Sequence, residues 1–171
     1  MRCPKSIVLL GLLLFVITAC QPQEGKLPFE TIAQGDGFYT GRGYGGEEPN
    51  LLIITGLNEV DSPGLDVEFP PELADQLRQL DYDRFFAILV LQGLKHQGGY
   101  SITVQRVVRQ DDRVNVHAEF TKPEPGTRRI QAFTSPYHLI AVSKQGEWGQ
   151  QFRFVLIADS EEVAETSHFI P

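Results

Sequence analysis

Cys20 is the residue best placed for covalent chemistry in this 171-residue chain. Arg2 and Lys5 give a positive start, an apolar run follows from Ile7 to Ile17, and the run closes on Ile17-Thr18-Ala19-Cys20. A branched apolar residue, two small residues and a cysteine form the pattern of a bacterial lipobox. It predicts a signal peptide over 1–19 and acylation of Cys20 by palmitate-like chains. The apolar run is roughly a dozen residues, against about 20 needed to cross a bilayer, so a cleaved signal is expected rather than a membrane span. The alternative is a cleaved signal in which Cys20 is incidental. The residue after the cysteine is Gln21, not Asp. Where two membranes are present, that resembles lipoproteins sent to the outer one. The expected location is extracytoplasmic, at a membrane surface.

Other catalytic chemistry finds little support. The only other cysteine, Cys3, leaves with the signal, so the mature chain has no thiol nucleophile and no disulfide. The four histidines are His96, His117, His138 and His168. None is spaced from another as zinc ligands are, and there is no HExxH. No serine lies in a G-x-S-x-G elbow, and the carboxylates are dispersed or in solvated runs such as Glu161-Glu162. The expectation is a non-catalytic protein with no metal and no cofactor. A hydrolytic site around His138 is the weaker alternative.

Two short segments are candidates for contact with a protein partner. In Gln97-Gly98-Gly99-Tyr100, two glycines let the backbone approach a partner or adopt positive φ, and the tyrosine offers a large amphipathic ring. The other reading is a tight turn with Tyr100 starting the next strand, its ring in the core. In Pro136-Tyr137-His138, the trio forms either a neighbouring edge groove or a strand kink, with Tyr137 packed and His138 hydrogen-bonded.

The elements that must position these segments read as strands. Residues 21–28 are polar with Pro and Gly, a short tether. Residues 35–50 hold six glycines without the strand-then-helix context of a phosphate cradle. Phe38, Tyr39 and Tyr44 are expected there as loop anchors. Leu51 to Thr55 is a short buried strand, and 58–69 reads as loop with a turn at Ser62-Pro63-Gly64. Pro70-Pro71-Glu72 opens one short helix, with Leu73, Leu77 and Leu80 in one stripe. Phe85 to Leu91 is continuously apolar, as in a strand covered on both faces. Tyr100 to Arg109 alternates and then shifts phase, which predicts a bulge near Gln105-Arg106. Asp111-Asp112 turns into Val114, Val116, Ala118 and Phe120, which share a face. His117 then points outward. Lys122 to Thr127 is a rigid exposed turn. Arg129 to Thr134 reads as a strand with Ile130 and Ala132 inward. Ser135-Pro136 interrupts it, Tyr137 to Ser143 resumes, and Phe152 to Ala158 is the last strand. Residues 159–171 read as a frayed acidic tail. The fold expected over 29–158 is one mainly β domain, an antiparallel sandwich of immunoglobulin-like or related kind with one short α-helix.

Charge narrows the partners. The chain has 15 basic and 22 acidic residues, and removing the signal takes two of the basic ones, leaving a mature net charge of −9. Such a chain suits neither a phosphate backbone nor anionic headgroups, so no nucleic-acid role is expected and the lipid must supply membrane attachment. About 152 mature residues suffice for a core without disulfides.

Three segments together resemble the PrcB family. They are LVLQGLKHQGGYSITV (Leu89 to Val104), VNVHAEFTKPEPG (Val114 to Gly126) and IQAFTSPYHLIAV (Ile130 to Val142). Their order and spacing are similar to the family's C-terminal domain over about 84–144. Family members usually carry Thr before the two glycines, where this chain has Gln97. The resemblance implies an all-β lipoprotein domain that binds a protein beside a surface protease, as an accessory or inhibitor-like subunit. The glycine-rich loop is also similar to the Thr-Gly-Tyr loop of chagasin-type cysteine-protease inhibitors. A structural or ligand-binding envelope lipoprotein with no protease is the alternative.

Overall fold

The computed structural model describes residues 24–37, 48–63, 68–126 and 131–171. Cys20, the signal segment, Phe38, Tyr39, Tyr44, Gly64 and Ile130 lie outside the described residues. Nine strands and two helices follow in chain order among those described. They are β1 (Glu24–Leu27), β2 (Phe29–Gly35), β3 (Asn50–Ile54), α1 (Leu57–Asp61), α2 (Pro71–Arg78), β4 (Phe85–Leu91), β5 (Ser101–Gln110), β6 (Arg113–Thr121), β7 (Tyr137–Ser143), β8 (Gln150–Ala158) and β9 (Glu161–Ile170).

The strands form two sheets, ordered β1-β5-β6-β8-β9 and β2-β7-β4-β3. The expected mainly β sandwich is the observed architecture. All pairings are antiparallel except β6 with β8, which run parallel. That parallel pair exists because β7, between them in sequence, crosses to the other sheet. The sheets also meet at their edges. At one edge β1 and β2 are nearly continuous, changing sheets at Pro28. At the other, β3 packs beside β9.

Side-chain alternation explains the apolar run of β4. Phe86, Ile88 and Val90 face the core between the sheets, with Val104, Val107, Val116, Phe152, Phe154 and Ile170. Ala87, Leu89 and Leu91 face the opposite way, toward Val60, Phe69, Leu73 and Leu77. The second sheet is therefore buried on both faces, one against the first sheet and one under the two helices. A strand so placed has no polar face, so its sequence loses the period of two. Burying each large side chain of this kind contributes about 1.5–3 kcal/mol.

Several local features match the sequence reading. Register slips between Val104 and Arg106 opposite β6, where the phase shift predicted a bulge. Val114, Val116 and Ala118 are buried on one face, with Phe120 partly buried against the same core. Pro71 opens α2 at its first position, where the missing N–H costs nothing, and Leu73 and Leu77 are buried.

Other features differ. The segment expected to fray is β9, ten residues long and paired along β8 from Glu161↔Ala158 to Ile170↔Gln150. Most of its side chains are exposed or half-exposed, because an edge strand with charges needs little apolar surface. The expected tether is shorter than 20–28, since β1 starts at Glu24 and Leu27 is buried. A second helix, α1, replaces loop at Leu57–Asp61, and its one buried residue, Val60, gives no periodicity to read. Residues 131–133 are exposed and not a strand, so Ala132 does not point inward. Beyond them Thr134 makes an isolated bridge to Lys95, and Ser135 makes one to Gly37. Pro136 lies just before β7, which is an interior strand rather than an edge.

Candidate functional site

Strand direction sorts the connections to two poles of the sandwich. The segment following β4, the start of β5, the end of β6 and the start of β7 lie at one pole, because Leu91 pairs with Tyr137 and Ser101 with Thr121. The end of β5 and start of β6 lie at the other, with Glu24 beside Gln110. Both sequence-predicted contact segments therefore come together at the first pole.

The loop from Gln92 to Tyr100 is held by backbone bonds to the segment before β7. The Gln92 N–H donates to the Pro136 carbonyl at 2.9 Å. Lys95 and Thr134 exchange a pair of N–H to carbonyl bonds at 2.8 and 2.9 Å. The Thr134 hydroxyl donates to the Gln97 carbonyl at 3.2 Å. The loop is thus fastened at position 97 through its backbone, a bond that any residue there could accept.

Gly99 is required by conformation and by space. Its φ is +92°, and a Cβ built there would lie 2.9 Å from Cβ of Pro123. The glycine lets the loop close onto the Lys122 to Gly126 turn, so all three motif segments touch at this pole. Tyr100 is half-buried, with the Lys95 ammonium 5.8 Å from its ring centroid. Gly98 is partly buried and Gly99 is exposed.

Sequence reasoning marked the loop from Lys95 to Tyr100, which holds His96, but missed Phe133 as a member of this surface. Phe133 is 55 % exposed, and its ring packs edge-on against His96 at 5.1 Å between centroids. Leu57 and Phe169 are exposed to a similar degree elsewhere, but of these three only Phe133 lies beside the fastened loop. The available signal was the phenylalanine in the third motif segment, but the strand expected there obscured it.

The Pro136-Tyr137-His138 trio faces inward. Pro136 is buried, and Tyr137 is half-buried, its ring 3.1 Å from where a Cβ on Gly35 would be. Burial, helped by Asp36, pushes the Tyr137 phenol upward. His138 is 2 % exposed. Its Nδ1 accepts the Val104 N–H at 2.8 Å, and Nε2 lies 2.8 Å from the Thr31 hydroxyl. Since a backbone N–H can only donate, the ring proton is on Nε2, and the imidazole is neutral. Burial alone pushes its pKa below the usual range. The trio is the entry into β7 with a hydrogen-bonded histidine, not an open groove, and His138 is buried away from the surface.

A hydrolytic arrangement is not formed by the best polar cluster elsewhere. His168 Nε2 is 2.9 Å from Glu59 Oε1 and 3.5 Å from Thr55 Oγ1. Both partners address the same ring nitrogen, so the histidine cannot bridge a carboxylate to a hydroxyl as a base does in a triad. The Thr55 hydroxyl donates to Glu59 itself at 3.0 Å. Among the described residues no three His, Cys, Asp or Glu side chains converge as metal ligands would.

No curated protein and no solved structure matches the chain. The family model described as PrcB C-terminal matches residues 86–143, which run from β4 through β7 and include every segment that builds the loop pole. This stretch of the chain resembles the PrcB C-terminal domain.

Proposed function

We propose that the chain is a lipid-anchored, non-catalytic envelope protein that binds a protein partner through the loop pole, as an accessory or inhibitor-like subunit of a surface protease complex. The observation that carries this reading is the exposed Phe133, set beside His96 on a loop that is hydrogen-bonded through Lys95 and Thr134 and packed at Gly99 against Pro123. Rigid aromatic anchors bind at low entropic cost, because little freedom remains to be lost. The PrcB C-terminal match supports a protease-complex context. The lipobox at Cys20 supports attachment to a membrane. An envelope lipoprotein with no protease partner remains the second reading, since a shared domain does not fix its partner.

The test is affinity capture of the tagged full-length chain from native membranes, compared with Phe133→Ala and Tyr100→Ala. A stoichiometric protease, lost from the Phe133→Ala eluate while the protein stays folded, is the expected result. Retention of every partner by both variants would remove the loop pole as the binding surface. Gly99 is a poor choice of variant, because a side chain there collides with Pro123 and disturbs the loop itself.

A further inference from the structure

We infer that the anchored sandwich stands with its Asp111-Asp112 pole toward the bilayer and presents the loop pole about 30 Å out, to a partner in the aqueous phase. This rests on acylation of Cys20, as proposed above. Four peptide links separate Cys20 from Glu24. Covalent geometry caps that span at about 14 Å, at ~3.5 Å per residue. Glu24 pairs with Gln110, at the very end of β5, so the chain enters the sandwich at a pole and not at its middle. The same pole gathers Gly25, Arg109, Asp111 and the segment from Gln145 to Glu147 around one shallow cavity of about 570 Å³.

The length of β5 sets the height of the opposite pole. Its ten residues, Ser101–Gln110, span about 33 Å at ~3.3 Å each. Ser101 follows Tyr100 directly, and Ser101↔Thr121 places the Pro123 turn beside it. The short link therefore cannot bring the loop pole to the headgroups unless the sandwich lies down. Charge does not draw the near pole onto the lipid, because exposed Asp111, Asp112 and Glu147 offset Lys26, Arg109 and Arg113 at the same end. The domain is held close by its short link, and the segment carrying Phe133 lies at the far pole. The partner that fits is a protein, reached from the aqueous side, rather than the bilayer itself.

Labels at the two ends of β6 test this. Acylation consumes Cys20 and cleavage removes Cys3, so Asp112→Cys and Lys122→Cys each carry one free thiol. The full acylated chain is reconstituted in phosphatidylcholine vesicles doped with a headgroup-nitroxide lipid, and a fluorophore is attached at each site. Quenching several-fold stronger at 112 than at 122 is expected. Equal quenching, or stronger quenching at 122, overturns the orientation while leaving the anchor intact. Vesicle flotation reads the anchor separately: a chain that does not float lacks the lipid, and both the anchor and the orientation then fall.

Discussion

The backbone N–H of Val104, in one sheet, donates to the imidazole of His138, in the other, across 2.8 Å. Val104 sits beside the β5 bulge, on the stretch of the β5 edge beyond the residues that β1 pairs with. Two residues earlier on that stretch, the Ile102 carbonyl accepts from the Gln34 side chain at 2.7 Å. The free part of the β5 edge is thus closed by side chains of the second sheet rather than by another strand. That arrangement protects the edge from pairing with another chain while locking the two layers together.

A pH dependence follows from this histidine. Burial holds its pKa below the ordinary value of about 6.5 that it has when unfolded. The neutral form is favoured by folding. Its contribution is fully present above about pH 6.5 and is lost as pH falls from there through the folded pKa. His117 shifts in the same direction, through burial and then Arg106, so the effect is shared. Urea denaturation at about pH 7.5 and pH 5.5 should show lower stability in acid. His138→Ala should cost about 1–3 kcal/mol at the higher pH, by orphaning the Val104 N–H, and should flatten the pH dependence.

Gly99 and Gly126 separate conformation from collision. Both have positive φ, +92° and +84°, but only Gly99 has a neighbour within 4 Å of a built Cβ. Gly126→Ala should cost about 1 kcal/mol, the backbone term alone. Gly99→Ala should cost more, about 2–3 kcal/mol, because Pro123 must also move. Thermal melts of the two variants check the order, and an equal loss would mean the turn yields freely.

Arg109 joins the near pole together. Its guanidinium lies 4.5 Å from the Trp148 ring centroid and 4.7 Å from that of Phe152. It also donates to the Glu147 carbonyl at 2.7 Å and the Asp111 carbonyl at 3.0 Å. A planar fork stacks and donates at once, which an ammonium cannot do. Arg109→Lys should therefore lose about 1–2 kcal/mol, nearly as much as Arg109→Ala. Trp148 is the only tryptophan in the chain, so its emission should shift in both variants.

Tyr82 offers a test in the opposite direction. Its hydroxyl is buried with no hydrogen-bond partner among the described residues. Burial, then the charge of Glu59, push the phenol up to about 12. Spectrophotometric titration should show late-ionising tyrosine absorbance that is reduced in Tyr82→Phe, the remainder coming from Tyr137, which is also raised. That substitution should leave stability unchanged or raise it by about 1 kcal/mol, since it removes an unpaired polar atom from the interior.

Much of the sandwich was legible because its interior strands carry strong patterns. The continuous apolar run at Phe85 to Leu91 announced a strand covered on both sides, and the broken alternation before Val107 announced the bulge. Strand β9 was not legible: Glu161, Glu162 and Glu165 are exposed at a sheet edge, where pairing through the backbone leaves no hydrophobic period. The loop pole was half legible. Motif residues from Gln97 to Tyr100 marked it, but Pro136 to His138 turned inward, and Phe133 became visible only when its segment proved to be exposed loop. Whether a side chain faces a partner or a neighbouring sheet depends on which strand crosses above it, and that is set far away in sequence.

The parallel pairing of β6 with β8 has a consequence for how the chain comes to its final shape. Residues 86–143 are the segment that the family model matches, yet within it β6 has β5 on one side and an open edge on the other until β8 arrives. β1 likewise waits some eighty residues for β5, and β2 waits longer for β7. A chain emerging from its N-terminus onward thus holds the apolar β4 segment without a finished sheet until nearly all of it is present. Such non-local closure makes folding slow, in the millisecond-to-second range typical of β-sandwiches. The unit of relatedness is therefore smaller than the unit of cooperative folding, and removing β8 and β9 to isolate the family segment should yield an aggregating fragment rather than a smaller domain.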